Sequence, residues 1–202
     1  MKLHWSPRSP FVRKVMVVAH ETGLADRLTL VRSVVAMTAI NPAVMADNPL
    51  NKIPTLVLDD GSVLFDSLVI CLYLDSLHEG PRLAPSGAAG LRTLARHALS
   101  NGFLDLVILW RNERERPPEL RSEPHLKAYE TKALATLAVL EAQAAELSGT
   151  SFDLAQVTLG CALGYLDFRF DRLGWREGRP ELTAFFERFS SRASARATTP
   201  HE

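Results

Sequence analysis

The chain has 202 residues, of which 47% are hydrophobic and 23% charged. That length suits one compact domain or two small ones, and the composition excludes disordered and fibrous classes. Lys plus Arg and Asp plus Glu each total 23, and residues 1–80 hold 7 basic against 8 acidic, leaving 16 and 15 behind; neither half carries a field that would recruit nucleic acid or an anionic membrane.

The longest apolar runs, such as Leu68 to Leu74 and Ala133 to Leu140, fall far short of the roughly 20 residues of a membrane span. Lys2 is not followed by an apolar segment with a small-residue cleavage site, so no secretory signal is read and a cytoplasmic location is expected. Cys71 and Cys161 each sit in an apolar stretch and read as buried small hydrophobes.

Residues 2–5 suit a short strand, and Pro10 suits the first turn of a helix over about 10–22, with Gly23 fit for its C-terminal end. Leu28 to Val31 reads as a second strand; strand, crossover helix and strand imply parallel pairing with a right-handed connection. Asn41 to Leu50 holds Pro42 and Pro49 and reads as a turn or short helix in an irregular connector. Residues 55–58 and 63–65 flank Asp59-Asp60-Gly61-Ser62, which predicts an antiparallel hairpin. A further helix follows Asp66-Ser67 and runs to about His78.

The Gly- and Pro-rich stretch near residues 80–90 predicts a linker between a first domain at 1–79 and a second at 91–202. Helical spacing recurs over about 90–114, 124–147, 153–172 and 180–192. Asp153 and Gln156 carry the pattern of a reciprocal helix cap. The fold class is therefore an α/β domain of order βαβ-α-ββα followed by an all-α bundle.

Three short motifs could carry chemistry. Pro54 suits a strand start, where the missing N–H costs no ladder bond; a cis Ile53-Pro54 bond would instead turn the Ile53 backbone outward, to hold an extended peptide as an added strand. Asp66-Ser67 reads as a helix cap, and the same helix start could hold an α-amino-acid head group. Ser9 precedes the first helix with no nucleophile elbow around it, and the six histidines form no zinc pattern, so no metal is expected.

Ser-Pro-Phe-Val-Arg-Lys-Val (9–15), Asn-Pro-Leu-Asn-Lys-Ile-Pro-Thr-Leu (48–56) and Leu-Phe-Asp-Ser-Leu-Val-Ile-Cys-Leu-Tyr-Leu (64–74), in this order and spacing, resemble the N-terminal half of cytosolic glutathione S-transferases. The helical half, with Gly-Cys-Ala-Leu-Gly-Tyr-Leu-Asp-Phe-Arg (160–169), extends the resemblance over nearly the whole chain. It resembles a bacterial serine type, theta-like or unclassified. It implies a thioredoxin-like domain, a helical domain, a homodimer, and transfer of glutathione to a small hydrophobic electrophile in detoxification.

By position, the resemblance makes Ser9 the donor to the glutathione sulfur, with Ser6 a competing hydroxyl in the same loop. Such a bond, worth about 1.5–3 kcal/mol, would lower a thiol pKa from about 8.5 by one to two units. It makes Ile53, before the family's cis-proline Pro54, the backbone partner of the cysteinyl part. It assigns Asp66 to the γ-glutamyl ammonium, Ser67 to its carboxylate and Lys52 to the glycyl carboxylate. Asn51 departs from the family's usual glycine, so either the tight backbone there bends differently or Asn adopts the left-handed conformation it tolerates. The absence of a cysteine before Cys71 disfavours the cysteine-type classes.

Phe11, His97, Asn101 and Trp110 are candidates for a second-substrate cleft; His97, Asn101 and Asp105 share a helix face that equally suits a hydrogen-bonded stripe, and the aromatics equally suit core. Two other readings stand beside the transferase: a non-catalytic glutathione-binding or regulatory module, and a glutathione-dependent peroxidase or reductase on the same site.

Overall fold

The computed structural model describes residues Met1–Glu202. The chain divides into two compact units, Met1–Gly90 together with Arg192–Glu202, and Leu91–Ser191.

In the first unit a four-stranded mixed sheet has the order β2-β1-β3-β4, with β1 Lys2–Trp5, β2 Thr29–Arg32, β3 Thr55–Val57 and β4 Val63–Leu64. β1 pairs parallel with β2 across the helix α1 (Pro10–Glu21), and antiparallel with β3, which forms the hairpin with β4. This is the βαβ-α-ββα order read from the sequence, with α2 at Pro42–Asp47 and α3 at Ser67–Ser76. β2 starts one residue later than expected because Leu28 closes a short 3₁₀ turn, its amide donating to Ala25 O at 3.1 Å. Gly23, at φ +70°, ends α1 in the left-handed conformation that a residue with a Cβ adopts at a cost. Leu3, Val15, Leu56, Ile70 and Leu74 are wholly buried where α1 and α3 pack together, each such side chain contributing about 2 kcal/mol of transfer energy.

The second unit takes α4 (Gly87–Arg114) from Leu91 onward, then α5 (Glu123–Ser148), α6 (Leu154–Arg169) and α7 (Pro180–Ser191). α4 begins earlier than predicted, inside the expected linker. α6 is buried continuously from Leu154 to Leu166. At Gly160 the ring of Phe189 approaches so closely that a Cβ would lie 2.4 Å from it. Asp153 caps α6, its carboxylate accepting from the Gln156 amide at 2.9 Å. Gln156 does not return the bond; its side chain donates instead to Leu147 O, Thr150 Oγ1 and Ser151 O, tying down the turn before the helix. Cys71 and Cys161 are both buried, and neither forms a disulfide.

The end of the chain differs from the sequence reading. A short helix α8 (Ala193–Ala197) follows α7, and residues 192–202 pack with the first unit rather than with the bundle. Arg192 makes a paired contact with Glu21 at 2.9 and 2.7 Å, and Arg13 donates to Ala195 O at 3.3 Å. No helix is long and apolar enough to cross a membrane.

Candidate functional site

The sheet register brings the three sequence motifs to one end of the first unit. β1 pairs His4 with Thr55, and β3 pairs Leu56 with Leu64. The C-terminal end of β1, which leads to Ser9, the start of β3, which follows Ile53 and Pro54, and the end of β4, which leads to Asp66 and Ser67, therefore lie at the same end of the sheet. Two helices start there, so two positive dipole ends and their first-turn amides face the same region.

Ser9 is the N-cap of α1, half-buried, its Oγ accepting from the Val12 amide at 3.3 Å. A capping hydroxyl retains its own proton to donate. Ser6 is buried, and its Oγ accepts from the Arg8 amide at 3.4 Å. Asp66 is the cap of α3, accepting from the Leu68 amide at 3.0 Å; it is exposed, whereas Ser67 beside it is buried. The Ile53-Pro54 and Phe65-Asp66 bonds are both cis.

The loop carrying Lys52 and Ile53 is framed by residues that sequence reading passed over. Asn48 is buried, and its amide nitrogen donates to Thr55 Oγ1 at 2.9 Å and Lys52 O at 3.3 Å, while its oxygen accepts from the Leu50 amide at 3.0 Å. Asn51 adopts φ +52°, the left-handed conformation its departure from glycine raised; its side chain accepts from the Asn41 amide and donates to Ala39 O, both at 3.0 Å. Asp47, at the end of α2, joins the loop to the sheet. Lys2 donates to its carboxylate at 2.6 Å and His4 Nε2 at 2.7 Å, with His4 Nδ1 2.8 Å from Ser33 Oγ. Hydrogen bonds from Lys2 and then His4 hold the Asp47 carboxyl below its ordinary value.

Of the candidates for the second-substrate cleft, Phe11 belongs to the first unit, half-buried with Lys14 Nζ 5.6 Å from its ring centroid. His97, Asn101 and Trp110 belong to the second, on α4. His97 is buried and Asn101 half-buried, its amide 3.5 Å from the Asp105 carboxylate. Trp110 packs on Phe170 with ring centroids 4.7 Å apart and is buried, as an aromatic of the core is.

Residues 8–77 match the model of the glutathione S-transferase N-terminal domain, and residues 123–188 that of the C-terminal domain. The chain belongs to the glutathione S-transferase family. The family likeness extends over its full length: an uncharacterized GST-like protein, YibF of Escherichia coli (strain K12), is 34% identical over 99% of this chain and 98% of its own. Among solved structures, a glutathione transferase family member from Pseudomonas fluorescens Pf-5 with bound glutathione superposes with a TM-score of 0.96 at 46% identity, covering 100% and 99% of the two chains. A glutathione S-transferase from Methylobacillus flagellatus KT with glutathione bound gives 0.88 at 32% identity, covering 99% of each chain. The sheet with its helices followed by a helical unit is the family's thioredoxin-like plus helical fold.

Proposed function

We propose that this family member binds glutathione at the end of the sheet defined by Ser9, Ile53 and Ser67, and transfers it to a small hydrophobic electrophile. The observation that carries the reading is the register that sets these three motifs side by side. The glutathione held by similar transferases supports it. Ile53, before the cis-proline, offers its backbone to the cysteinyl part as an added strand. The exposed carboxylate of Asp66 suits the γ-glutamyl ammonium, Ser67 at the start of α3 its carboxylate, and exposed Lys52 the glycyl carboxylate.

Ser9 acts as a hydrogen-bond donor that favours the thiolate, with the α1 dipole adding in the same direction. The thiol proton passes to solvent, the thiolate sulfur forms a bond to the electrophilic carbon, and the leaving group departs with the bonding electron pair. Holding both reactants together supplies the rest of the acceleration. A cytoplasmic homodimer is part of this reading; exposed Phe65, Val69 and Leu72 at and after the end of β4 suit a subunit contact.

Titrating parent and Ser9→Ala protein with glutathione, and following thiolate absorbance against pH, tests the proposal. A thiol pKa lowered in the parent and restored by Ser9→Ala is the expected result. Binding with an unshifted pKa would leave a non-catalytic glutathione-binding module, and absence of binding would overturn the reading.

A further inference from the structure

Side chains alternate across a strand, so Lys2 and His4 share one face of β1 while Leu3 points to the other, into the core beneath α1 and α3. His4 is 1% exposed. Its Nε2 lies 2.7 Å from Asp47 Oδ2 at the end of α2, and its Nδ1 lies 2.8 Å from Ser33 Oγ, just past β2. Hydrogen bonds from Lys2 and then His4 hold the Asp47 carboxyl below its ordinary value, so at neutral pH it is a carboxylate and only accepts. Ser33 has one hydroxyl proton, and it goes to Val31 O at 3.1 Å, which leaves the Ser33 oxygen an acceptor toward the ring. Both ring nitrogens therefore face acceptors. A neutral imidazole carries one N–H and an imidazolium two, so a buried ring between these two oxygens is fully satisfied only as the cation.

The surroundings suit that charge. Asp47 comes from α2, and Lys2, from the ring's own strand, reaches the same Oδ2 at 2.6 Å. The register partners of His4, Val31 on β2 and Thr55 on β3, bring no charge, and Arg32 beside Val31 lies instead over the Trp5 ring, 5.7 Å from its centroid. Thr55 donates to Lys52 O at 2.8 Å and accepts from Asn48, the residue after Asp47. The ring thus sits where β1 meets the segment leading to Lys52 and Ile53. We infer that His4 is a positioning residue of the glutathione site: as an imidazolium it fixes α2 through Asp47 and so the loop of Lys52 and Ile53, and the loop loosens when the ring gives its second proton to solvent. This rests on the proposed binding of glutathione at that loop. After proton loss Nε2–H stays on Asp47, Nδ1 becomes an acceptor, and Ser33 must turn its proton from Val31 O to the ring. The hold on Asp47 weakens because the donor is no longer cationic.

The test uses the full chain labelled with ¹⁵N, with the His4 ring assigned through its own backbone. At pH 7 both ring nitrogens should bear hydrogen; an unprotonated Nδ1 at that pH would overturn the inference. Ser33→Ala takes away the acceptor at Nδ1 and should bring the loss of the second proton to lower pH. S-methylglutathione, which has no thiol to titrate, is the binding probe. In the parent and in Ser33→Ala its affinity should fall about fivefold as pH rises through the step seen in that protein's own ring signals. His4→Gln should bind it about fivefold more weakly than the parent at pH 7 and show no such step; if burial keeps that variant from folding, the other two proteins decide. A histidine that only fills space would leave binding level across the ring step, and that result would overturn the positioning role. Failure of the glutathione reading looks different: S-methylglutathione would bind at no pH. Amide exchange at Leu50 and Asn51 then decides, with protection lost across the ring step supporting the role and unchanged protection overturning it.

Discussion

Ser9 and Ser67 both stand at the start of a helix, and their geometry separates capping from binding differently. Ser9 is itself the cap of α1, so Ser9→Ala removes a bond worth about 1 kcal/mol of stability together with the hydroxyl proposed to donate to the sulfur. On α3 the cap is Asp66, which leaves the adjacent Ser67 hydroxyl outside the capping interaction. Ser67→Ala is therefore expected to weaken glutathione binding about tenfold, the loss of one hydrogen bond to a charged group, while the thermal midpoint stays near the parent's. Calorimetric titration beside thermal melting checks this. A lowered midpoint with unchanged affinity would make Ser67 a packing residue. The burial of Ser6 and the cavity it lines are tertiary facts that the spacing of two nearby serines does not carry.

At the scale of elements, the loop that presents Lys52 and Ile53 inherits its position from α2. That helix has six residues, too few to be stable alone. Asp47 fixes its end to β1 through Lys2 and His4, and the adjacent Asn48 frames the loop that follows. Asp47→Asn keeps an acceptor but removes the charge both partners address, at a cost of about 1–2 kcal/mol. The expected outcome is a raised KM for glutathione, kcat within about twofold of the parent, and faster amide exchange at Leu50 and Asn51. Equal loss in kcat and kcat/KM would show that Asp47 acts on the chemical step instead. The strands and helices of this unit were legible because alternation, helical spacing and turn residues are local signals. Asn51 was legible as a departure from glycine and carries the positive φ that departure raised. The Asp47 anchor was not, because His4 and Asp47 lie 43 residues apart and neither belongs to a motif. α8 escaped for the same reason: it has five residues, and its packing against α1 joins opposite ends of the sequence.

Across the whole molecule, the first unit is discontinuous in sequence, and the Glu21 carboxylate on α1 is one of the groups that join its two parts. Glu21 accepts two bonds from Arg192, at 2.9 and 2.7 Å, and one from Ser194. Burial pushes this carboxyl up, but the hydrogen bonds from Arg192 and Ser194 and the guanidinium charge outweigh it and hold the group below its ordinary value of 4.5. A depressed folded-state pKa contributes stability that is fully present above the unfolded value and is lost as pH falls through the folded one. Glu21→Gln should therefore lower stability at neutral pH. The gap between variant and parent should narrow below about pH 4.5, as the parent's own carboxyl becomes protonated. Denaturant unfolding of both proteins at a series of pH values measures that gap directly. A gap of constant size down to pH 3 would mean that the returning segment is held by shape and neutral hydrogen bonds, and that the Glu21–Arg192 charge pair contributes nothing to keeping residues 192–202 with the first unit.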